Sequence, residues 1–158
     1  RVAMWDARHG YGFVDQGRGY LFFGSTVASG GGFDLSAADA TFEGESTGDK
    51  SGSSIASAGD VDGDGIADIF VGTPHYNNMA SSTWCDGNHG RGQIVFGATV
   101  LTLNSSTAVR IDQVADINLA WGGEYDFVSF TALGPGDLDA DGQRAFGQRL
   151  GADGGAPR

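Results

Sequence analysis

Asp60, Asp62, Asp64 and Asp68 stand at positions 1, 3, 5 and 9 of the run Asp-Val-Asp-Gly-Asp-Gly-Ile-Ala-Asp, with Gly63 and Gly65 at positions 4 and 6. Alternate residues of a tightly curled backbone point to one centre, so the first three carboxylates can converge. Gly63 and Gly65 take the positive φ that such a curl demands at no steric cost. Like charges packed this closely repel by roughly 1 to 4 kcal/mol per pair across the surface range of effective dielectric. A hard cation removes that repulsion, and oxygen-only ligands on a flexible loop suit Ca²⁺ better than a transition metal. The chemistry this run points to is calcium binding.

The loop is not an EF-hand, which would carry a bidentate Glu at position 12; here that position is Val71. The residues that follow, Ile66, Ala67, Asp68, Ile69, Phe70 and Val71, are β-branched and aromatic rather than helix-forming. They predict a buried strand over 66–71 that starts inside the loop and ends at Gly72-Thr73-Pro74. The metal then sits at the entrance to a strand and pins its start.

An internal repeat frames this loop. Gly17-Arg18-Gly19-Tyr20-Leu21-Phe22-Phe23-Gly24 returns as Gly90-Arg91-Gly92-Gln93-Ile94-Val95-Phe96-Gly97. The acidic run Gly59-Asp60-Val61-Asp62-Gly63-Asp64-Gly65 returns as Gly136-Asp137-Leu138-Asp139-Ala140-Asp141-Gly142. Two landmarks displaced by nearly the same distance mark a repeat architecture. The period is long for a helical solenoid and suits a four-stranded propeller blade with loop insertions.

Three stretches together resemble one FG-GAP repeat, the repeat of the integrin α-subunit head and of many bacterial surface proteins. They are Gly52-Ser53-Ser54-Ile55-Ala56-Ser57-Ala58-Gly59 with the acidic loop, Ile69-Phe70-Val71-Gly72-Thr73-Pro74, and Gly92-Gln93-Ile94-Val95-Phe96-Gly97. The resemblance implies an all-β chain forming part of a β-propeller, with antiparallel four-stranded blades and Ca²⁺ in the loop between a blade's first two strands. It places side-chain ligands on Asp60, Asp62, Asp64 and Asp68, and a backbone carbonyl ligand on Ile66. The family's Phe-Gly pair is Ser51-Gly52 here, and its Gly-Ala-Pro is Gly72-Thr73-Pro74.

In the second acidic run Asp137, Asp139 and Asp141 are present, but position 9 is Ala145, so this site is expected to be weak or empty. No apolar strand is expected after it. Phe146-Gly147-Gln148-Arg149-Leu150 resembles instead the opening of a further repeat, as if a blade-sized segment were missing between Gly142 and Phe146. On this reading residues 1–47 are the end of one blade, 48–103 the best-formed repeat, and 104–158 an incomplete, divergent one. Within these, 1–16 is the tail of an insertion, 20–23 an outer strand, 40–44 a further strand, and 54–59 the innermost strand. The strand at 93–96 extends toward residue 103, and 117–133 supplies outer material for the next blade. Helical patterning is short and weak at 36–41 and 107–119.

Composition narrows the function classes. The 158 residues carry a net charge of −11, with 20 acidic against 9 basic side chains, so no basic stripe exists to neutralise phosphates and nucleic acid is excluded as a partner. The 28 glycines punctuate short apolar runs, as in an all-β chain with many turns. The single cysteine, Cys85, excludes an internal disulfide framework. It lies with His75 and His89 around an insertion between two strands. Their spacing matches no zinc pattern, and an exposed loop at a blade edge is the favoured reading. His9, Asp6 and Asp15 would need a nucleophile that the fold places beside them. No apolar run approaches membrane-spanning length.

The chain therefore reads as a piece of a longer propeller polypeptide, secreted or on the cell surface. Its structural Ca²⁺ would bind at roughly 10⁻⁴ to 10⁻³ M, it has no catalysis of its own, and its ligand is a protein or a carbohydrate. The alternative is a non-catalytic propeller domain appended to an extracellular hydrolase or lyase. Since propellers close with about 4 to 8 blades, a chain of one blade and parts of two would leave Ile69, Phe70 and Val71 beside solvent.

Overall fold

The computed structural model describes residues 2–6, 15–28, 30–32, 34–76, 89–103, 107–120, 131–136 and 145–149. Ten strands are found among them, in two four-stranded sheets and one two-stranded sheet. The second four-stranded sheet carries the acidic loop. It consists of β4 (Ser54–Gly59), β5 (Asp68–Thr73), β6 (Arg91–Val95) and β8 (Ile117–Ala120), in that order and antiparallel throughout. The first sheet orders β1 (Val2–Asp6), β2 (Arg18–Phe22), β3 (Ala40–Glu43) and β7 (Val109–Arg110). Its first three strands are antiparallel, and β7 joins β3 in parallel, pairing Phe42 with Val109 and Glu43 with Arg110. β9 (Thr131–Gly136) and β10 (Ala145–Arg149) pair with each other.

The core follows from strand alternation, since successive side chains point to opposite faces. Leu21, Ala40 and Phe42 of the first sheet meet Ile69, Val71 and Val95 of the second, with Val100 and Ile111 completing the cluster. Phe70 and Ile94, one residue out of phase, pack on the opposite face with Ala58. All six residues of β5 are buried. The expectation that Ile69, Phe70 and Val71 lie beside solvent is thus corrected: both faces of β5 are covered.

Several boundaries differ from the sequence reading. The strand after the acidic loop starts at Asp68, not Ile66, because the Ile66 amide donates to the Asp64 carboxylate and pairing with β4 begins at Gly59 and Asp68. β6 does not continue toward residue 103. A short helix α2 (Gly97–Thr102) follows it, just as α1 (Gly24–Val27) follows β2. A carboxylate enforces each turn. Asp116 accepts from the Phe96 amide at 2.7 Å and the Thr99 hydroxyl at 3.2 Å, and Asp39 does the same for Phe23 at 2.6 Å and Thr26 at 2.8 Å.

Residues 2–6 form a strand rather than part of an insertion, and they leave β2 inside its sheet rather than at the outer edge. The segment after α2 crosses to the first sheet as β7, turns through α3 (Ile111–Val114) and returns as β8. Residues 117–120 therefore complete the sheet of residues 54–95, and this sheet extends beyond the 48–103 unit. A strand also follows the second acidic run. β10 begins at Ala145 and pairs with β9, as β5 pairs with β4 across the first acidic run, so the spacing requires no missing segment. The helical content of the weakly patterned 36–41 and 107–119 is limited to single turns, the 3-10 turn Leu35–Ala37 and α3, the rest including parts of β3, β7 and β8.

Candidate metal centre

The acidic loop leaves β4 at Gly59 and enters β5 at Asp68. Gly63 and Gly65 adopt φ of 79° and 85°, a region open to glycine and costly for other residues. The curl turns backbone amides inward onto the loop's own carboxylates. Asp62 accepts from the Asp64 amide at 3.2 Å, Asp64 from the Ile66 amide at 2.7 Å, and Asp60 from the Gly65 amide at 2.9 Å.

Asp60, Asp62 and Asp68 each bring a carboxylate oxygen into one group whose members lie within 4.8 Å of one another. Two oxygens on one Ca²⁺ at about 2.3 to 2.6 Å are separated by at most about 4.6 to 5.2 Å, so three such oxygens can share one ion. Asp60 Oδ1 is buried and has no hydrogen-bond partner, and a buried acceptor left unpaired is costly. A cation among the carboxylates would satisfy it. The donor set is oxygen only and anionic, and it fits calcium. Partial desolvation in the crook of the loop raises the Asp62 carboxyl above its ordinary pKa. The Asp64 amide opposes this rise, and the charges of Asp64, Asp68 and Asp60 reinforce it.

The four aspartates do not play one role. Asp68 is fully buried and accepts from two amides, Val61 at 2.6 Å and Gly97 at 2.8 Å, the second from beyond β6. It ties the loop to the start of α2. Gly97 has no room for a side chain: a Cβ there would collide with the Ile66 side chain and come within 2.8 Å of the Ala67 carbonyl oxygen. Asp64 is exposed and stands outside the three-carboxylate group. Ile66 is half-buried at the same turn, its amide engaged with Asp64.

Asp137, Asp139 and Asp141, the weaker second site of the sequence reading, lie outside the described residues, as does Cys85. His75 and His89 are described and belong to no group of three metal-ligating side chains among the described residues. His75 Nε2 lies 3.4 Å from Lys50 Nζ, and burial, then the lysine charge, holds its pKa below the ordinary value. The His89 amide donates to the Tyr76 carbonyl, as does that of Gly90, closing the neck of the insertion.

Sequence reasoning missed Asp39, Asp116 and the inward role of Asp68. The first two were detectable: Asp116 follows Asp39 at the same offset at which Asp137 follows Asp60. Residues 51–96 match the family model of the FG-GAP repeat, a span running from the turn before β4 to the end of β6. No curated protein matches the chain.

Proposed function

We propose, from the FG-GAP repeat at residues 51–96, that this chain is a stretch of calcium-pinned β-propeller from a secreted or cell-surface protein. The second four-stranded sheet is read as one blade, the first as the outer part of its predecessor, and β9 with β10 as the opening of its successor. The ion is held by Asp60, Asp62 and Asp68, with the Asp64 carboxylate and the Ile66 carbonyl as the further oxygen donors the loop offers. The observation that carries this reading is the buried, unpartnered Asp60 Oδ1 within a group of three carboxylates.

When bound, calcium would cancel the repulsion among the carboxylates. The chain's own residues do the rest. Gly63 and Gly65 set the curl, and Asp68 joins it to β5 and α2. The role of the ion is structural, and the propeller surface serves adhesion or the binding of a protein or carbohydrate, without catalysis. No helix among the described residues is long and apolar enough to cross a membrane.

Thermal unfolding in EDTA, in millimolar Ca²⁺ and in millimolar Mg²⁺ tests the proposal. Calcium is expected to raise the midpoint, by mass action on the folded state. Magnesium, which demands a tighter octahedral shell, should raise it less. A double variant Asp60→Asn, Asp62→Asn should lose the calcium response. A calorimetric titration with calcium that is the same for this variant and the parent chain would refute the assignment.

A further inference from the structure

The segment of residues 44–53 joins β3 of the first sheet to β4 of the second and is stitched to both. The amides of Gly44, Lys50 and Ser51 donate to the carbonyls of Gly17, Asp15 and Gln16, and that of Gly52 donates to Gly72. Asp49 lies in this segment, and its carbonyl accepts from the His75 amide. Only 3% of Asp49 is exposed, and its carboxylate accepts from the Ser46 amide at 2.8 Å. Among the described residues no cation lies within ion-pair distance of it.

The cation whose charge does reach it is already engaged. Arg91, at the start of β6, donates through Nη2 to Glu45 at 2.8 Å and stacks on the Tyr76 ring, with Cζ 3.8 Å from the centroid. This pair bridges the sheets, since Glu45 follows β3 and Arg91 belongs to the second sheet. Arg110 of β7 reaches the same glutamate at 3.7 Å while holding Asp112 of α3 at 2.9 Å. The charged and titratable groups within electrostatic reach of Asp49 are thus Glu45 on its own segment, Arg91 from β6 and Tyr76 from the turn after β5. Arg91 Nε is buried with no partner.

We propose that Asp49 is a proton-operated latch on the segment joining the two four-stranded sheets. Uncharged, it rests in the junction and leaves the Glu45–Arg91 bridge intact. Ionised, it is a buried charge with no cation within ion-pair distance among the described residues, and it weakens the junction. Burial, then the Glu45 charge, outweighs the Ser46 amide, Arg91 and the Glu45 amide, and raises the Asp49 pKa from 3.8 to about 6. A carboxyl whose folded-state pKa is raised contributes stability that is fully present below its unfolded value, and this is lost as pH rises through the folded value. The window is therefore from about pH 4 to somewhat above 6.

The test is the pH profile of stability of the full chain in EDTA, for the parent, Asp49→Asn and Glu45→Gln, with the Asp49 side chain followed by carboxyl NMR. Between pH 4.5 and 7 the folded-to-unfolded ratio of the parent should fall by roughly tenfold or more relative to Asp49→Asn. Comparing variants cancels the titration of His75, which overlaps this window. Glu45→Gln should move the Asp49 midpoint downward. Parallel profiles for the parent and Asp49→Asn, or an Asp49 carboxyl that titrates near 4 in the parent chain, would overturn the proposal.

Discussion

Asp68 and Asp62 belong to one loop but respond to different needs. Asp68 is fully buried and accepts two backbone amides, that of half-buried Val61 and that of buried Gly97. Hydrogen bonds to a charged acceptor are worth about 1.5 to 3 kcal/mol each, so Asp68→Ala should cost at least about 3 kcal/mol whether or not calcium is present. Asp62 is exposed, and its neighbours crowd it with negative charge. Asp62→Asn should leave stability in EDTA unchanged or slightly higher, and lower it only in calcium. Urea unfolding of both variants with and without the metal would check this; an Asp68→Ala variant as stable in EDTA as Asp62→Asn would contradict it. The residue types at positions 1, 3, 5 and 9 were legible as one ligand set. Their division into two carboxylates within the curl, one buried anchor and an outlying Asp64 was not, because the anchor depends on Gly97, which lies beyond β5, the insertion and β6.

Strand, helical turn and returning strand form a unit that the molecule uses twice. In each copy an aspartate just before the returning strand (Asp39 before β3, Asp116 before β8) bonds the residue that opens the helix and a threonine in its first turn. The Asp39 and Asp116 amides also mirror each other, donating to the carbonyls of Leu21 and Ile94. Asp116→Ala should therefore free the turn at α2 and cost about 1 to 3 kcal/mol. Hydrogen exchange at Phe96 should rise while β4 and β5 stay protected, and uniform loss of protection would argue against a local role. The strands themselves could be read from β-branched and aromatic runs. The two helices could not, since Gly-Ala-Thr-Val-Leu-Thr has no helical period and its turn is imposed by a carboxylate from elsewhere in the chain.

The two four-stranded sheets share one core, and the chain crosses between them through β7 and α3. Phe42 is 1% exposed and meets side chains of both sheets. Phe42→Ala should cost about 3 to 5 kcal/mol. The remaining structure should still melt in one transition, because the main core cluster is made of residues from both sheets. Two resolved calorimetric transitions in the parent chain would show instead that the sheets fold independently. This shared core is why Ile69 and Val71 are buried although the blade count suggested exposure.

Chemistry confined to neighbours in the chain was present in the amino-acid order alone. Nine consecutive residues hold the carboxylates and the glycines that curl them, and the alternation of apolar residues makes the flanking segments strands. The repeat offset likewise needs only the linear order. Arrangements that join distant residues had to await the fold. Asp68 with Gly97, Glu45 with Arg91, β7 beside β3, and the placement of β8 in the sheet of residues 54–95 are all of this kind. Such contacts depend on which surfaces exclude water together, and no local pattern encodes that. The burial of Asp49, in a polar turn-rich stretch where solvent exposure is the ordinary expectation, has the same origin: its segment is bonded to residues 15–17, to Gly72 and to His75, all distant in the chain.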